Sequence, residues 1–186
     1  MSQAKFAEMV RESLSTLALD AKALSRLADD PDLDDVSRAE VAGAALLLLS
    51  GTNVIPGLRG VQAYVDDTLM MRIVVERASK RTPEAVAKHE DGSSLVADCA
   101  RHLEAARAFL GESFGALERA VDGLKQHKVD GHTVADCVAD DDGATWLYES
   151  IIAETVRLDF PESEVIKTSK LTDAIATQLR SKAGIR

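Results

Sequence analysis

The chain of 186 residues has few aromatic residues and few cysteines. Phenylalanine, tryptophan and tyrosine together make up only 4% of it, so its core has to be built from leucine, alanine, valine and isoleucine. These residues, and alanine above all, favour helix. The two cysteines, Cys99 and Cys137, are too few for a disulfide framework in a chain of this size. We therefore expect a reduced, helical protein.

Long apolar runs are also missing. The longest run, residues 41–49, has about half the length that a helix needs to span a bilayer. The first residues are of mixed polarity and lack the apolar centre of a signal peptide. These two absences predict a cytoplasmic protein.

Positive charge is scarce relative to negative charge. The formal net charge of −9 repels the phosphates of nucleic acids and of anionic lipids, so we expect no nucleic-acid partner and disfavour membrane binding. Basic residues nevertheless gather near the C-terminal end, at Lys167, Lys170, Arg180, Lys182 and Arg186. The simplest explanation is favourable charge at the C-terminus of a helix. Peripheral membrane attachment through this basic helix is an alternative.

Helical periodicity is the most abundant signal. Apolar residues recur at spacings of three and four, and no stretch alternates for long enough to predict a strand. The sequence predicts an all-α bundle of seven or eight helices, over residues 3–28, 35–50, 61–80, a short segment after Thr82, 94–127, 133–139, 144–158 and 162–181. Ser37 and Glu40 predict a capping box. Gly111 and Gly115 are expected to bend or split the long helix.

The length is that of one domain, or of one domain with a helical extension. We divide the chain into residues 1–82, which hold the N-terminal helices, and residues 83–186, which form a bundle around the long helix. A single merged domain is the alternative to this division.

A turn that is rich in glycine and proline separates two very apolar stretches, residues 46–49 and 69–75. The turn and the start of the next helix contain Asn53, Pro56, Gly60, Asp66 and Asp67. Backbone breakers inside so much hydrophobic sequence indicate that the chain reverses its direction there. The sequence therefore predicts a helical hairpin with a Pro/Gly corner.

Residues 46–76 resemble the YkvA-like family, a bacterial domain of unknown function. The matching positions are Val54, Ile55, Pro56, Gly60, Asp66 and Asp67. The family pattern also has an acid before and after the Ile-Pro pair, where this chain has Asn53 and Gly57. The resemblance implies the fold of this segment and no activity, because no catalytic residue is established for the family. With two acidic positions lost, we do not expect the remaining ones to hold a cation together.

The adjacent aspartates Asp66 and Asp67 need a physical explanation. Successive helix positions point about 100° apart, so at most one of the two side chains faces inward comfortably. A buried carboxylate is costly unless it is paired or hydrogen-bonded. We expect one aspartate to accept hydrogen bonds from backbone N–H groups of the turn, or to pair with Arg59 or Arg72. The rival interpretation is a metal or acid–base site.

Ser113 lies in a Gly-Glu-Ser-Phe-Gly segment, which formally matches the G-x-S-x-G nucleophile elbow. That motif requires a strand before the serine, whereas a helix is predicted here. We therefore expect helix packing at the two glycines and not a catalytic serine.

Two acidic segments, residues 30–34 and 140–149, approach the calcium-loop pattern. The residues that fit ligand positions are Asp30, Asp32 and Asp34 in the first, and Asp140, Asp142, Gly143 and Glu149 in the second. The first segment lacks the required glycine and the last carboxylate, and the second lacks its first carboxylate. We expect turns that cap the following helices, and cation binding remains an alternative.

Cys99 and His102 are one helical turn apart, and His127, His132 and Cys137 follow later in the chain. Four of these side chains could form a zinc site, but the close C-x₂-C spacing of such sites is missing. Cys99 also fits the apolar stripe of its helix as a small core residue. The sequence contains no phosphate-binding loop, and we predict neither a metal nor a cofactor.

The sequence favours a non-enzymatic helical interaction or scaffold module, which binds a protein partner or a second copy of itself. It lacks a complete catalytic constellation, and its long apolar stripes could be covered by partner helices. The first alternative is a metal-dependent hydrolase that uses Asp66 and Asp67. We assign no catalytic, cofactor-binding or metal-binding residue.

Overall fold

The computed structural model describes residues 1–90 and 93–185, so Arg186 of the basic C-terminal end lies outside the described residues. The structure is 76% helical, and a two-stranded hairpin is the only sheet in the described part, which confirms the all-α fold. The α-helices are α1 (Ser2–Ser15), α2 (Leu17–Ala28), α3 (Asp35–Ser50), α4 (Tyr64–Arg81), α5 (Pro83–Ala87), α6 (Ser94–Ala97), α7 (Cys99–Leu110), α8 (Gly115–Val121), α9 (Val134–Ala139), α10 (Asp141–Glu154), α11 (Glu162–Ser169) and α12 (Thr172–Ala183). The strands are β1 (Lys128–Val129) and β2 (His132–Thr133), and 3₁₀ turns cover Gly60–Ala63, Gly111–Phe114 and Leu124–Gln126.

Two of the expected long helices are divided. The first, expected over residues 3–28, is interrupted at Thr16, which separates α1 from α2. The Thr16 hydroxyl lies 2.8 Å from Ser94 Oγ and 3.2 Å from an Asp20 carboxylate oxygen, so polar contacts hold this break. The longest predicted helix is split at Gly111, whose φ of +55° suits glycine. The prediction missed the first division and is confirmed for the second.

Helices α3 and α4 form the predicted hairpin and supply the centre of the core. Every residue of α3 from 40 to 48 is buried, and so is every residue of α4 from 65 to 75. A helix that is buried on all sides belongs in the middle of a bundle. Gly43 allows a close approach there, because a Cβ atom on it would lie 2.8 Å from Leu124 Cβ. Even so, no helix in the described chain is long and apolar enough to cross a membrane.

The start of α3 differs from the expected capping box. Asp34, and not Ser37, is the N-cap, and its carboxylate accepts the Ser37 backbone N–H at 3.0 Å. Glu40 does not reach back to the cap. It points to α4 instead, where its carboxylate pairs with Arg77 at 3.2 Å and with Arg81 at 2.8 Å. The predicted box is therefore wrong, because an acid three residues earlier takes the capping position.

The apolar core is continuous across the predicted boundary at residue 82. It joins residues such as Phe6 and Leu46 with Leu103 and Ile151. Helix α1 packs against α7 and α11, and α10 packs against α2 and α3. The division into two units stays a prediction.

The strands β1 and β2 form a short antiparallel hairpin at the edge of the bundle. Asp130 and Gly131 make its turn, and their φ angles of +49° and +91° suit a two-residue hairpin. Thr133 then begins α9 through reciprocal hydrogen bonds with Asp136. The hairpin thus connects the 3₁₀ turn Leu124–Gln126 to helix α9, and the core of the bundle stays helical.

Candidate functional site at the corner of the α3–α4 hairpin

The corner between α3 and α4 is shaped by glycines with positive φ. Gly51 ends α3 in the left-handed conformation with φ +62°. Gly57 and Gly60 also have positive φ, at +82° and +57°, so the connection can turn sharply twice. Between Gly51 and Gly57 the chain buries Ile55 and leaves Pro56 exposed. The 3₁₀ turn that follows brings the first turn of α4 back under the corner.

Asp66 holds this corner from inside. Its fully buried carboxylate accepts hydrogen bonds from the backbone N–H groups of Val54, of Ile55 at 2.9 Å and of Asp67 at 3.1 Å. The Asn53 side-chain amide lies 3.3 Å from the same carboxylate and donates to the Ala63 carbonyl at 2.6 Å. Burial raises the pKa of Asp66, and these donors oppose the rise. The expected bond from the turn to an aspartate is therefore present.

The alternative expectation, an ion pair with Arg59 or Arg72, is not formed at this carboxylate. Arg59 is exposed, and the Arg72 guanidinium binds Asp20 of α2 at 2.8 Å. Asp66 is thus a structural group, and its oxygens are occupied by N–H donors of the chain.

Asp67 differs from its neighbour. Its side chain is only 6% exposed, yet Oδ1 has no hydrogen-bond partner among the described residues. Burial raises the pKa of Asp67 well above its ordinary value, and the neighbouring Asp66 carboxylate raises it further. An unpaired buried carboxyl is unusual in a folded protein and calls for an explanation.

A cleft of about 470 Å³ opens beside Asp67. One wall is aromatic, because the Tyr64 and Phe160 rings lie with their centroids 5.1 Å apart. Val61 and Asn53 contribute to the rest of the lining. Burial raises the pKa of Tyr64, and the charges of Glu154 and Asp67 act in the same direction. The cleft therefore combines one carboxyl with apolar and aromatic surface.

A second polar cluster lies inside the bundle around Arg72, which is fully buried. Its guanidinium donates to Asp20 at 2.8 Å, to Ser94 Oγ at 3.0 Å, to the Thr68 carbonyl at 3.1 Å and to His102 Nδ1 at 2.9 Å. The cation is thus paired and hydrogen-bonded, as burial of a charge requires. This cluster, which we call the Arg72 network, joins α2, α4, α6 and α7.

His102 is a member of the Arg72 network and is not available as a ligand or a base. Arginine can only donate, so Nδ1 is the accepting nitrogen and the ring proton sits on Nε2. Nε2 then donates to Glu12 at 2.9 Å. Burial and the Arg72 charge lower the pKa of His102, which keeps the ring neutral.

The structure does not assemble the considered zinc site. Cys99 Sγ donates to the Arg72 carbonyl at 3.2 Å, and burial raises the pKa of Cys99 and of Cys137 to about 11. His132 stacks on Trp146 with 3.9 Å between ring centroids. Within residues 1–90 and 93–185 no three His, Cys, Asp or Glu side chains form a group that could hold a metal ion. The metal-dependent hydrolase alternative, which would use Asp66 and Asp67, therefore finds no such group in the described part of the chain.

The acidic segments serve as turns and caps, as expected. Asp30 pairs with His89 at 2.7 Å, and Asp32 pairs with Lys88. Asp34 caps α3, and Asp140 caps α10 by accepting the Gly143 N–H at 2.9 Å. Four of the carboxylates in the two candidate calcium loops therefore have partners of their own, and no group of three possible ligands is formed among the described residues.

Ser113 is also a structural residue. It lies in the 3₁₀ turn after α7, it is 1% exposed, and its hydroxyl donates to the Leu110 carbonyl at 2.6 Å. A nucleophile elbow would need a strand before the serine and an exposed hydroxyl. The catalytic interpretation of this motif is therefore wrong.

Sequence reasoning missed two parts of this arrangement. Arg72 stands inside an otherwise apolar stretch, which is a signal for a buried ion pair, but the sequence does not tell which acid meets it. Phe160 follows α10 and reaches the corner from a distant part of the chain, so no local pattern points to it.

The chain matches no known family model, no curated protein and no solved structure in the comparisons that were made. The chain belongs to the class of all-α bundles, and a cleft opens at its surface beside the partly unpaired Asp67.

Proposed function

We propose that this chain is a non-enzymatic helical interaction module, which binds a protein partner through the cleft at the α3–α4 corner. The observation that carries the proposal is the Asp67 side chain, which lines that cleft and whose buried Oδ1 has no hydrogen-bond partner among the described residues. A group that is held nearly unexposed without a partner weakens the fold, and proteins keep such groups where a function requires them.

Several side chains that could perform chemistry are engaged in holding the fold together, which supports a non-enzymatic role. Ser113 donates to a backbone carbonyl, His102 is bonded at both ring nitrogens, and Asp66 accepts from the turn. The thiols of Cys99 and Cys137 are buried with raised pKa values, which makes them poor nucleophiles. Free cysteines also agree with our expectation of a cytoplasmic protein.

Self-association is one form of this proposal. Several large apolar side chains are exposed, among them Leu19, Tyr148, Val156, Ile166 and Leu171. Scattered apolar residues are normal on a monomer, so they add little by themselves. The proposed kinship of residues 46–76 with the YkvA-like family concerns the hairpin alone and adds no activity.

Two measurements test the proposed function. A photo-crosslinking amino acid at Val61, on the wall of the cleft, is expected to capture a defined protein, while the same group at the exposed Asp142 on α10 captures none specifically. Light scattering over a range of concentrations tests whether that protein is a second copy of the chain. A strict monomer at every concentration, together with no specific crosslink at Val61, would contradict the interaction module.

A further inference from the structure

We infer that the cleft beside Asp67 accepts the ammonium or guanidinium group of a lysine or arginine side chain from the protein partner. This inference rests on the proposed function and adds the chemistry of the group that is bound. It depends on three features of the corner: an unpaired carboxyl, an aromatic wall and the absence of a basic residue in the lining.

The cleft has carboxyl groups beside it but, in the described part of the chain, no positively charged side chain that pairs with them. Asp67 Oδ1 is unpaired, and the carboxylate of Asp66 is adjacent in the same helix turn. Of the described residues that line the cleft, none is basic. Three basic residues of the surrounding segments are engaged elsewhere or exposed: the Lys182 ammonium of α12 donates to the Val54 carbonyl, Arg157 pairs with Glu154 at 3.3 Å, and Arg59 is exposed. A ligand with positive charge therefore meets an uncompensated site.

The lining favours an organic cation over a metal ion. Calcium and magnesium require six or more oxygen ligands, whereas this cleft offers one free carboxyl among rings and aliphatic side chains. The faces of Tyr64 and Phe160 attract ammonium and guanidinium groups. Val61 and Ala63 provide apolar surface for the methylene stem of a lysine or arginine side chain. The volume of about 470 Å³ lies in the usual range for small ligand sites.

Binding of the cation is coupled to loss of a proton. Burial and the Asp66 charge raise the pKa of Asp67, so the carboxyl of the free protein keeps its proton to a higher pH than an ordinary aspartate. The cation stabilises the ionised form, so it displaces this proton and its affinity rises with pH until Asp67 is ionised without it. The other titratable groups that face this region are Tyr64, Glu154 and Asp66, with Arg157 as the opposing cation.

The test uses the full chain and three blocked amino acids as probes. Lysine and arginine, each acetylated at the α-amine and amidated at the carboxyl, are the cationic probes, and blocked norleucine is the uncharged control of similar length. Amide NMR signals of Val61, Ala63 and Tyr64 are expected to shift with both cationic probes and not with norleucine. Asp67→Asn is expected to weaken binding about tenfold or more, since a charge-assisted hydrogen bond is lost. The control Asp142→Asn removes an exposed carboxylate of α10 and is expected to leave binding unchanged.

Calorimetry in buffers of different ionisation enthalpy measures the number of protons that are released on binding. The wild-type protein is expected to release a proton on binding at a pH where Asp67 is protonated, and Asp67→Asn is expected to release none. Three results would overturn the inference: blocked norleucine binds as tightly as the cationic probes, Asp67→Asn leaves their affinity unchanged, or neither cationic probe shifts the NMR signals. Stronger signal shifts with calcium ions than with the organic probes would overturn it in favour of a metal site.

The outcomes separate this inference from the proposed function. If the probes bind but crosslinking at Val61 captures no protein, the cation site stands and the interaction module fails. If crosslinking captures a protein but the probes do not bind, the module stands and the chemistry assigned to the cleft is wrong.

Discussion

Replacement of Asp67 by asparagine is expected to stabilise the folded protein at neutral pH. The side chain is 6% exposed, its Oδ1 has no hydrogen-bond partner in the described structure, and the Asp66 carboxylate is its neighbour. Ionisation of Asp67 is therefore unfavourable in the folded state, whereas in the unfolded chain the side chain ionises like an ordinary exposed aspartate. Asparagine has nearly the same shape and does not ionise, so it removes this cost.

The size of the effect follows from the difference in pKa between the two states. Below about pH 4 both states keep the proton, so wild type and variant are expected to have similar stability. Above that pH the unfolded chain loses the proton first, and the folded protein holds it until its raised pKa is reached. In that interval wild-type stability falls relative to the variant by about 1.4 kcal/mol per pH unit. The difference then becomes constant, and the pH of that plateau reports the pKa of Asp67 in the folded protein.

Urea unfolding at a series of pH values measures this difference, since the free energy of unfolding extrapolates linearly with denaturant. Asp142→Asn is the matched control, because it makes the same change at an exposed site of α10. A difference between wild type and Asp67→Asn that is independent of pH would refute the reasoning. A wild type that is the more stable protein at neutral pH would do so as well.

Three further changes test the structure. Asp66→Asn is expected to destabilise the protein by about 2–4 kcal/mol in the same urea assay, because an amide group would face the N–H donors of the turn, and a neutral effect would contradict the role of this residue in holding the corner. Gly43→Ala is expected to lower stability by about 1–3 kcal/mol, since its Cβ would lie 2.8 Å from Leu124 Cβ; Gly123→Ala, whose nearest neighbour is an oxygen at 3.4 Å, is the control and should cost clearly less. Both thiols, with pKa values of about 11, are expected to react with a disulfide reagent at neutral pH only as fast as the protein unfolds, and rapid labelling of the folded protein would show that they are accessible.

The hairpin and the role of one aspartate could be predicted because their signals are local. Glycine and proline between two apolar stretches indicate a reversal, and a carboxylate that follows a turn has N–H donors within reach. The same reasoning predicted that Asp66 or Asp67 would bond to the turn. It could not say which one, because the choice depends on the phase of α4, which the 3₁₀ turn Gly60–Ala63 sets.

The remainder depends on contacts between distant segments. Thr16 has the sequence context of an ordinary helix residue, and one of the two contacts at its break comes from Ser94, which is 78 positions away. His102 could have been a metal ligand by type, but Arg72 occupies one of its nitrogens and Glu12 the other. Such pairings are decided by tertiary packing, which overrides local propensity and has no local sequence signal.

The Arg72 network has a consequence for the order of assembly. An ion that is enclosed without its partners costs several kcal/mol, so any partly formed bundle that covers Arg72 before Asp20 and His102 arrive is penalised. Intermediates in which α2, α4 and α7 come together stepwise should therefore be poorly populated. The buried arginine therefore favours cooperative docking of these helices. It also destabilises bundles in which the same apolar surfaces pack in a wrong register, because Arg72 would then be buried without Asp20.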